Sequence, residues 1–378
     1  MSEKRLKVAY LLGSLNRGGT ETLLLDVLLC SRKVQFDMFV IYRKAGELSD
    51  GFYSSGVPIY QVTRGHVTNC LIYLLKLRKL LKQEKADIIH VHQRVDTIYA
   101  WIASLGLKQK IVQTLHDFDF QYSKFSRLLI RLSFCFANRN IFVSEYQKRY
   151  YQSAYKLSNY NSLSIVYNGI NFAKLNHQEK QSLRKDLAIS DKCLLLGMVG
   201  NFNSVRDQLT ICRFLDLMAH RNIDFKFLFV GKKETNNPKL YDICYSFCLN
   251  KNLSEKVVFL GCRSDVPVLL SQMDAFIYSS DHDTFGIAVI EAIATGIPVF
   301  VNDWEVMKEI TNKGEKATLY RSKEEQDLLE KFMRFYAHPG SFYEKAKENA
   351  EWAKREFSID RHIKSLNHLY IGLNSDNS

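Results

Sequence analysis

Short apolar runs alternate along the chain with longer amphipathic stretches, and the alternation occurs twice. In the first half the runs Lys7–Leu12, Phe36–Tyr42, Ile59–Val62, Ile88–Val91, Ile111–Thr114 and Asn140–Val143 read as strands. Between them, Thr20–Cys30, Asn69–Lys82 and Thr97–Leu105 carry apolar residues at helical spacing. In the second half, strands are expected at Cys193–Val199, Phe225–Val230, Val257–Leu260, Ala275–Tyr278 and Pro298–Val301. Helices are expected at Arg206–Ala219, Lys239–Asn250, Val266–Gln272, Gly286–Ala294 and Glu324–Tyr336, with one or two closing helices over 341–371. Strands fully apolar along their length, separated by helices, belong to parallel sheets covered on both faces.

The polar segment Asn171–Asp191 divides the two series. The expected organisation is therefore α/β, with two Rossmann-like doubly wound domains at 1–180 and 181–350 facing a central cleft. Residues 351–378 are expected to form a closing helix and polar tail that cross back to the first domain. A chain of 378 residues agrees with two cores rather than one. Ligands of open parallel sheets bind beyond the carboxyl ends of the strands.

Charge changes this picture in one respect. Residues 1–175 hold 25 Lys and Arg against 12 Asp and Glu, whereas 176–378 hold 27 against 28. The first half is thus the basic half. Two of its stretches mix cations with apolar residues. One is Leu71–Lys85, with Lys76, Arg78, Lys79, Lys82 and Lys85; the other is Gln121–Arg139, with Lys124, Arg127, Arg131 and Arg139. Such stretches either lie on an anionic membrane or are ordinary amphipathic helices with solvated charges. No run of 18 apolar residues occurs, and Leu6–Leu12 is too short for a signal sequence, so the expectation is a cytoplasmic protein, peripheral on the inner face of the membrane. Eight scattered cysteines without a Cys-x-x-Cys pair read as free thiols. No recognised nucleic-acid module is present, so nucleic acid is not expected as a partner.

The stretch Ser280-Asp-His-Asp-Thr-Phe-Gly-Ile-Ala-Val-Ile-Glu-Ala-Ile-Ala-Thr-Gly-Ile-Pro-Val carries the most chemistry. It places Asp283 in a loop after a strand and Glu291 along the following helix. Their backbones stand about 12 Å apart at the helical rise. One carboxylate can then hold sugar hydroxyls and the other ribose hydroxyls, with the helix start between them facing a diphosphate. The plain alternative is a capping Asp and a surface Glu.

This stretch resembles the signature of the retaining glycosyltransferases of family 4, also called group 1, which have the GT-B fold. That signature pairs two acids across seven residues around E-G-F-G and E-A-x-A-x-G-x-P-V. Here Asp283 stands for the usual first Glu and Thr284 for the usual Gly. The resemblance spans nearly the whole chain. Val199-Gly-Asn-Phe-Asn-Ser-Val-Arg resembles the loop that carries an Arg and a Lys to the diphosphate, with Gly200 leading, Asn201 at the Arg position and Arg206 at the Lys position. A strand ending in Gly231 is followed by Lys232 and Lys233, either of which is a candidate replacement for the lost cation. Gly261 and Arg263 fall in the segment that frames the nucleotide base. Gly18 and Gly19 match the family's Gly-Gly loop near the donor phosphates, and Thr20 is expected to cap the next helix. His116, after a strand, matches the family's His beside the donor sugar; a lone His there is also often structural. Asn168-Gly169 resembles the turn before the linker, where Asn-Gly favours positive φ.

The resemblance implies His116, Arg206 and Asp283 as catalytic residues. It implies donor contacts from Gly18, Gly19, Gly200, Asn201, Arg206, Gly231, Arg263, Asp283, Phe285, Gly286 and Glu291. It implies no tightly bound cofactor and no metal, and a nucleotide-sugar co-substrate, with a UDP-sugar favoured. The acceptor is expected to be a glycan or lipid-linked glycan of cell-surface polysaccharide synthesis, bound by the first half. Two other readings stay open at this point: a nucleotide-sugar epimerase on the same fold, and a non-catalytic scaffold that binds nucleotide sugar or glycan.

Overall fold

The computed structural model describes residues 5–63, 70–120, 122–157, 162–176, 183–186, 189–190, 192–234 and 239–375. Asn69, Gln121, residues 177–182, 187–188 and 191 of the expected linker and residues 376–378 of the tail lie outside the described residues. The chain forms two units, Met1–Ile170 with Ile359–Ser378, and Asn171–Ser358. The divisions fall at 170 and 358 instead of 180 and 350.

In the first unit the strands are β1 (Lys7–Ser14), β2 (Asp37–Lys44), β3 (Ile59–Gln61), β4 (Ile88–Val91), β5 (Lys110–Leu115), β6 (Arg139–Phe142) and β7 (Leu163–Ile165). They make one sheet in the order β3-β2-β1-β4-β5-β6-β7. Every pair is parallel. Alternation along β1 explains the layers. Val8, Tyr10 and Leu12 join Leu24, Val27 and Leu28 of the helix Gly19–Leu29 in one core. Ala9 and Leu11 point the other way, into a core with Tyr73, Leu77 and Ala100 from the helices Cys70–Gln83 and Arg94–Ser104.

The helix Ile359–Ser375 belongs to this unit. Ile359, Ile363, Leu366, Tyr370 and Leu373 recur at helical spacing and enter the same core as Val8 and Tyr10. Gly169 is what admits it. A Cβ there would stand 2.6 Å from Cβ of His362 and 2.8 Å from Cα of Ile359. Neither Asn168 nor Gly169 has a positive φ. The Asn-Gly pair therefore serves close backbone approach, and the left-handed turn expected from the sequence is not formed.

The second unit holds β8 (Leu194–Val199), β9 (Phe225–Val230), β10 (Val257–Gly261), β11 (Ala275–Tyr278), β12 (Val299–Asn302) and β13 (Thr318–Tyr320). Their order is β10-β9-β8-β11-β12-β13, again all parallel. The order reverses direction between β8 and β11, so the loops after these strands open a crevice at their carboxyl ends. The sequence pattern did not reveal β7 or β13, which are three-residue edge strands. No helix among the described residues is long and apolar enough to cross a membrane.

Candidate active site

In the second unit, the loops after β8 and β11 are bonded to each other. The backbone N–H of Asp281 and the hydroxyl of Ser280 each donate to the carbonyl of Val205 at 3.0 Å. Asn302, at the end of β12, clamps Ser280 by accepting from its N–H at 3.0 Å and donating to its carbonyl at 2.8 Å. The indole of Trp304 donates to the Asp283 carbonyl at 2.9 Å. The helix expected from Arg206 starts at Gln208, because Asp207 caps it by accepting from the Thr210 N–H.

That shift leaves Arg206 in the loop, where its side chain meets Asp283. Nη1 lies 3.0 Å from Oδ2 of Asp283, and the two side chains are only 17% and 13% exposed. The Tyr278 hydroxyl donates to the same Oδ2, and the guanidinium sits 5.3 Å from the Tyr278 ring centre. Burial opposes the Arg206 charge, but the Asp283 carboxylate and Tyr278 outweigh it, and the pKa is held above its ordinary value. Burial drives the Tyr278 phenol upward, so it stays a donor. Nε and Nη1 of Arg206 are buried and make no aligned hydrogen bond. A buried guanidinium with N–H groups to spare suits an anion.

The other residues singled out in the second unit follow the strands β8, β9, β10 and β11. Gly286 precedes the helix Ile287–Ala294 with φ +84°, and a Cβ there would meet Cε of Met307 at 2.9 Å. The first N–H groups of that helix have no partner within it. Phe285 is 2% exposed and sits edge-on to Phe357, so its ring anchors the loop in the core. Glu291 is half-buried on the same helix. Gly231 lets its strand end meet the next loop, since a Cβ would lie 2.1 Å from the Gly200 carbonyl oxygen. The Asn201 carboxamide accepts from the Lys232 N–H at 3.0 Å, so it supports the backbone. Lys233 pairs with Asp242 at 2.6 Å, and Arg263 grips Asp265 with Nε and Nη2 on the exposed turn after Gly261.

In the first unit, His116 follows β5 and His92 follows β4. Nδ1 of His92 lies 3.0 Å from Nε2 of His116, and the rings stack at 5.2 Å. His90 stacks on His92 at 4.6 Å and is held by the Tyr370 hydroxyl at 2.5 Å and the Thr114 hydroxyl at 2.7 Å. Burial pushes His116 down to about 4 and His90 to about 3, so both rings are neutral near pH 7. His92 and His116 line an open pocket of about 430 Å³ with Arg94, Asp117 and Tyr122. Arg94 pairs with Asp117 and lies 4.5 Å over the Tyr122 ring. Gly18, two positions before Thr20, is the N-cap of the helix Gly19–Leu29, so Thr20 lies inside the first turn and does not cap it as expected. A Cβ on Gly18 would strike the Glu21 carboxylate at 2.5 Å.

Sequence reasoning passed over Tyr278, Asn302, Trp304 and His92. Only His92 carried a signal, the His90-x-His92 pattern where a strand ends.

Two Rossmann-like units with parallel sheets of seven and six strands define the GT-B architecture. Comparison with known proteins agrees. Residues 17–174 match the model of glycosyltransferase family 4, and residues 179–352 match that of glycosyl transferases group 1. The chain belongs to the group 1 glycosyltransferases. It is 27% identical over 293 residues to a UDP-Gal:alpha-D-GlcNAc-diphosphoundecaprenol alpha-1,3-galactosyltransferase of Escherichia coli, covering 71% of this chain and 72% of that one. It is 24% identical to the O-antigen biosynthesis glycosyltransferase WclY of Escherichia coli, covering 81% and 82%. The solved structure of Anabaena HepE in complex with UDP and glucose superposes with a TM-score of 0.86 at 19% identity, over 97% of this chain and all of that one.

Proposed function

We propose that this glycosyltransferase moves a sugar from a UDP-sugar to a glycan or lipid-linked glycan with retention of anomeric configuration, in cell-surface polysaccharide synthesis. The observation that carries the reading is the buried Arg206, paired with Asp283 and keeping N–H groups for an anion. Transfer breaks the bond between the anomeric carbon and the diphosphate, and the electron pair leaves with the phosphate. Arg206 and the helix start after Gly286 stabilise that charge. The diphosphate draws the guanidinium, which frees the Asp283 carboxylate for sugar hydroxyls, and Tyr278 keeps it oriented. Glu291 takes the ribose hydroxyls. His116 orients the donor sugar as a neutral ring. The relatives whose names include UDP-Gal and O-antigen biosynthesis support this donor and pathway class.

The first unit supports a reading in which the acceptor is carried on an anionic membrane. The helices Cys70–Gln83 and Lys124–Phe136 leave Leu71, Ile72, Leu75, Phe125, Leu128 and Leu132 exposed beside Lys76, Lys79, Arg127 and Arg131. Such a surface adsorbs to the inner face of a membrane. Arg78 does not contribute, because it donates to the carbonyls of Ala103 and Leu105 at the end of the neighbouring helix.

Thermal shift with UDP-, GDP- and ADP-sugars tests the donor, since a ligand of the native state raises its stability. A selective rise with UDP-sugars is expected; no shift with any of them at millimolar concentration overturns the reading. Proton NMR of the product's anomeric coupling tests retention. Co-sedimentation with anionic but not neutral vesicles, reversed by salt, tests the membrane surface.

A further inference from the structure

The second unit also holds an open pocket of about 530 Å³ at the amino ends of β12 and β13, where Pro298, Val299, Ala317 and Thr318 line it. Arg206 and Asp283 stand in loops at the carboxyl ends of the same parallel sheet, so the two hollows lie at opposite edges of it. Five cations face the pocket. Lys313 and Lys316 come from the turn before β13, Lys331 and Arg334 from the helix Glu325–Ala337, and Lys345 from the helix Pro339–Glu356. Lys331 and Arg334 are three residues apart, which puts both on one side of their helix. No Asp or Glu is among the lining residues.

Elsewhere in this unit cations pair with acids, as Lys233 does with Asp242, Arg263 with Asp265, Lys308 with Glu305 and Lys354 with Glu351. Among the described residues, none of the five around the pocket forms an ion pair. Lys316 lies 5.6 Å over the Trp352 ring, a contact that leaves its charge uncompensated. Residues 176–378 carry 27 Lys and Arg against 28 Asp and Glu, so the excess is local to this hollow. The turn is fixed in place. The Lys316 N–H donates to the Thr311 carbonyl at 2.9 Å, and the buried Asn349 carboxamide donates to the Lys316 carbonyl at 3.0 Å.

Five like charges around one hollow repel one another, and a multivalent anion relieves that repulsion. One guanidinium and four ammonium groups suit phosphate oxygens, and their number calls for several negative charges rather than one. Ile297, Val299, Leu319 and Phe342 supply an apolar wall for an uncharged body. The volume is that of a small-molecule site. We propose that this pocket binds a ligand carrying clustered phosphate groups, at a place separate from the donor site. The proposal does not draw on the assigned sugar transfer.

Hydrogen exchange on the full chain tests it, with two probes. Tripolyphosphate supplies clustered phosphate in solution, and phosphatidylcholine vesicles containing phosphatidic acid supply it as lipid headgroups. Slower exchange is expected in residues 313–319 and 341–349. The triple variant Lys331→Gln, Arg334→Gln, Lys345→Gln is expected to lose that protection and to bind the probe about tenfold more weakly or worse. Its three side chains are exposed or half-buried, so it is expected to melt with the wild type when no phosphate is present. Protection by tripolyphosphate identifies a soluble ligand. Protection by the phosphatidic acid vesicles alone, and not by phosphatidylcholine, identifies a lipid headgroup. No protection of these segments by either probe at millimolar phosphate, equal protection by sulfate, or equal protection in the triple variant overturns the proposal. Because the readout is local to these segments, binding at the donor site neither mimics nor masks it.

Discussion

Asp283 serves two partners in the same small volume, and its removal separates stability from chemistry. Asp283→Ala leaves the Arg206 guanidinium buried without its counter-charge, an arrangement that costs about 3 kcal/mol. Asp283→Glu keeps the charge and reaches one methylene further, so denaturant midpoints are expected to fall for Ala and to stay close to wild type for Glu. Tyr278→Phe removes one donor to the same oxygen and is expected to cost about 1–2 kcal/mol in the same measurement. Transfer should fall about a hundredfold or more in Asp283→Ala, beyond what the lost stability explains, because the variant remains folded at assay temperature. Asp283 and Glu291 were singled out by the resemblance of their stretch to the group 1 signature, and the structure places one in the loop after β11 and the other on the helix Ile287–Ala294. Tyr278 was not, since a tyrosine closing an apolar strand looks like core until the loop beyond it is seen to fold back over its hydroxyl. The cations were half legible. Arg206 was identified from its loop, but the carboxamide of Asn201 proves to serve the backbone of Lys232, a contact set by the distance between two strand ends and invisible in either segment alone.

At the scale of elements, the glycines mark where backbones must approach. Gly169→Ala would drive a methyl group into Ile359 and His362. The helix Ile359–Ser375 then has to shift outward from the core it shares with Val8 and Tyr10. A loss of roughly 2–3 kcal/mol is expected, within the range of overpacking, with faster hydrogen exchange concentrated in that helix. Leu366→Ala makes the complementary cavity and is expected to cost about 3 kcal/mol by denaturant titration. Most elements were readable from periodicity, because strands buried on both faces appear as unbroken apolar runs and the helices between them are long. The edges were not. Leu163–Ile165 and Thr318–Tyr320 are too short to show a period, and pairing with one neighbour alone makes them strands. Helix starts moved by a residue or two wherever a cap decided them, as Asp207 does for Gln208–His220. The Asn-Gly pair shows the limit of local reasoning: its sequence favours a turn, but the partner that requires glycine lies almost two hundred residues away in the chain.

For the whole molecule, stability depends on pH through histidines whose pKa burial pushes down, and among the described residues these lie in the first unit. His90, His92, His116 and His362 all belong to the first unit, and all have pKa values pushed below the ordinary histidine range, chiefly by burial. A depressed histidine is neutral in the fold and takes up a proton only on unfolding. Above pH 6.5 neither state binds it and the fold keeps its full stability. Below pH 6.5 the unfolded chain gains protons that the fold refuses, and stability falls until the folded pKa is reached. For His90, at about 3, the window runs from pH 6.5 to 3, and about 2 kcal/mol is lost between pH 7.5 and pH 5. The other three act in the same direction, with His116 and His362 at about 4. Urea unfolding at pH 7.5 and pH 5, followed by site-resolved hydrogen exchange, is expected to show the first unit opening earlier at the lower pH. Its sheet amides should lose more protection than those of β8–β12. His90→Gln, which keeps polar contacts in that position and cannot take up a proton, should flatten part of the difference. Equal loss in both units, or a first unit as stable at pH 5 as at pH 7.5, would show that these rings are more open to solvent than their packing against Tyr10, Thr114 and Tyr370 requires.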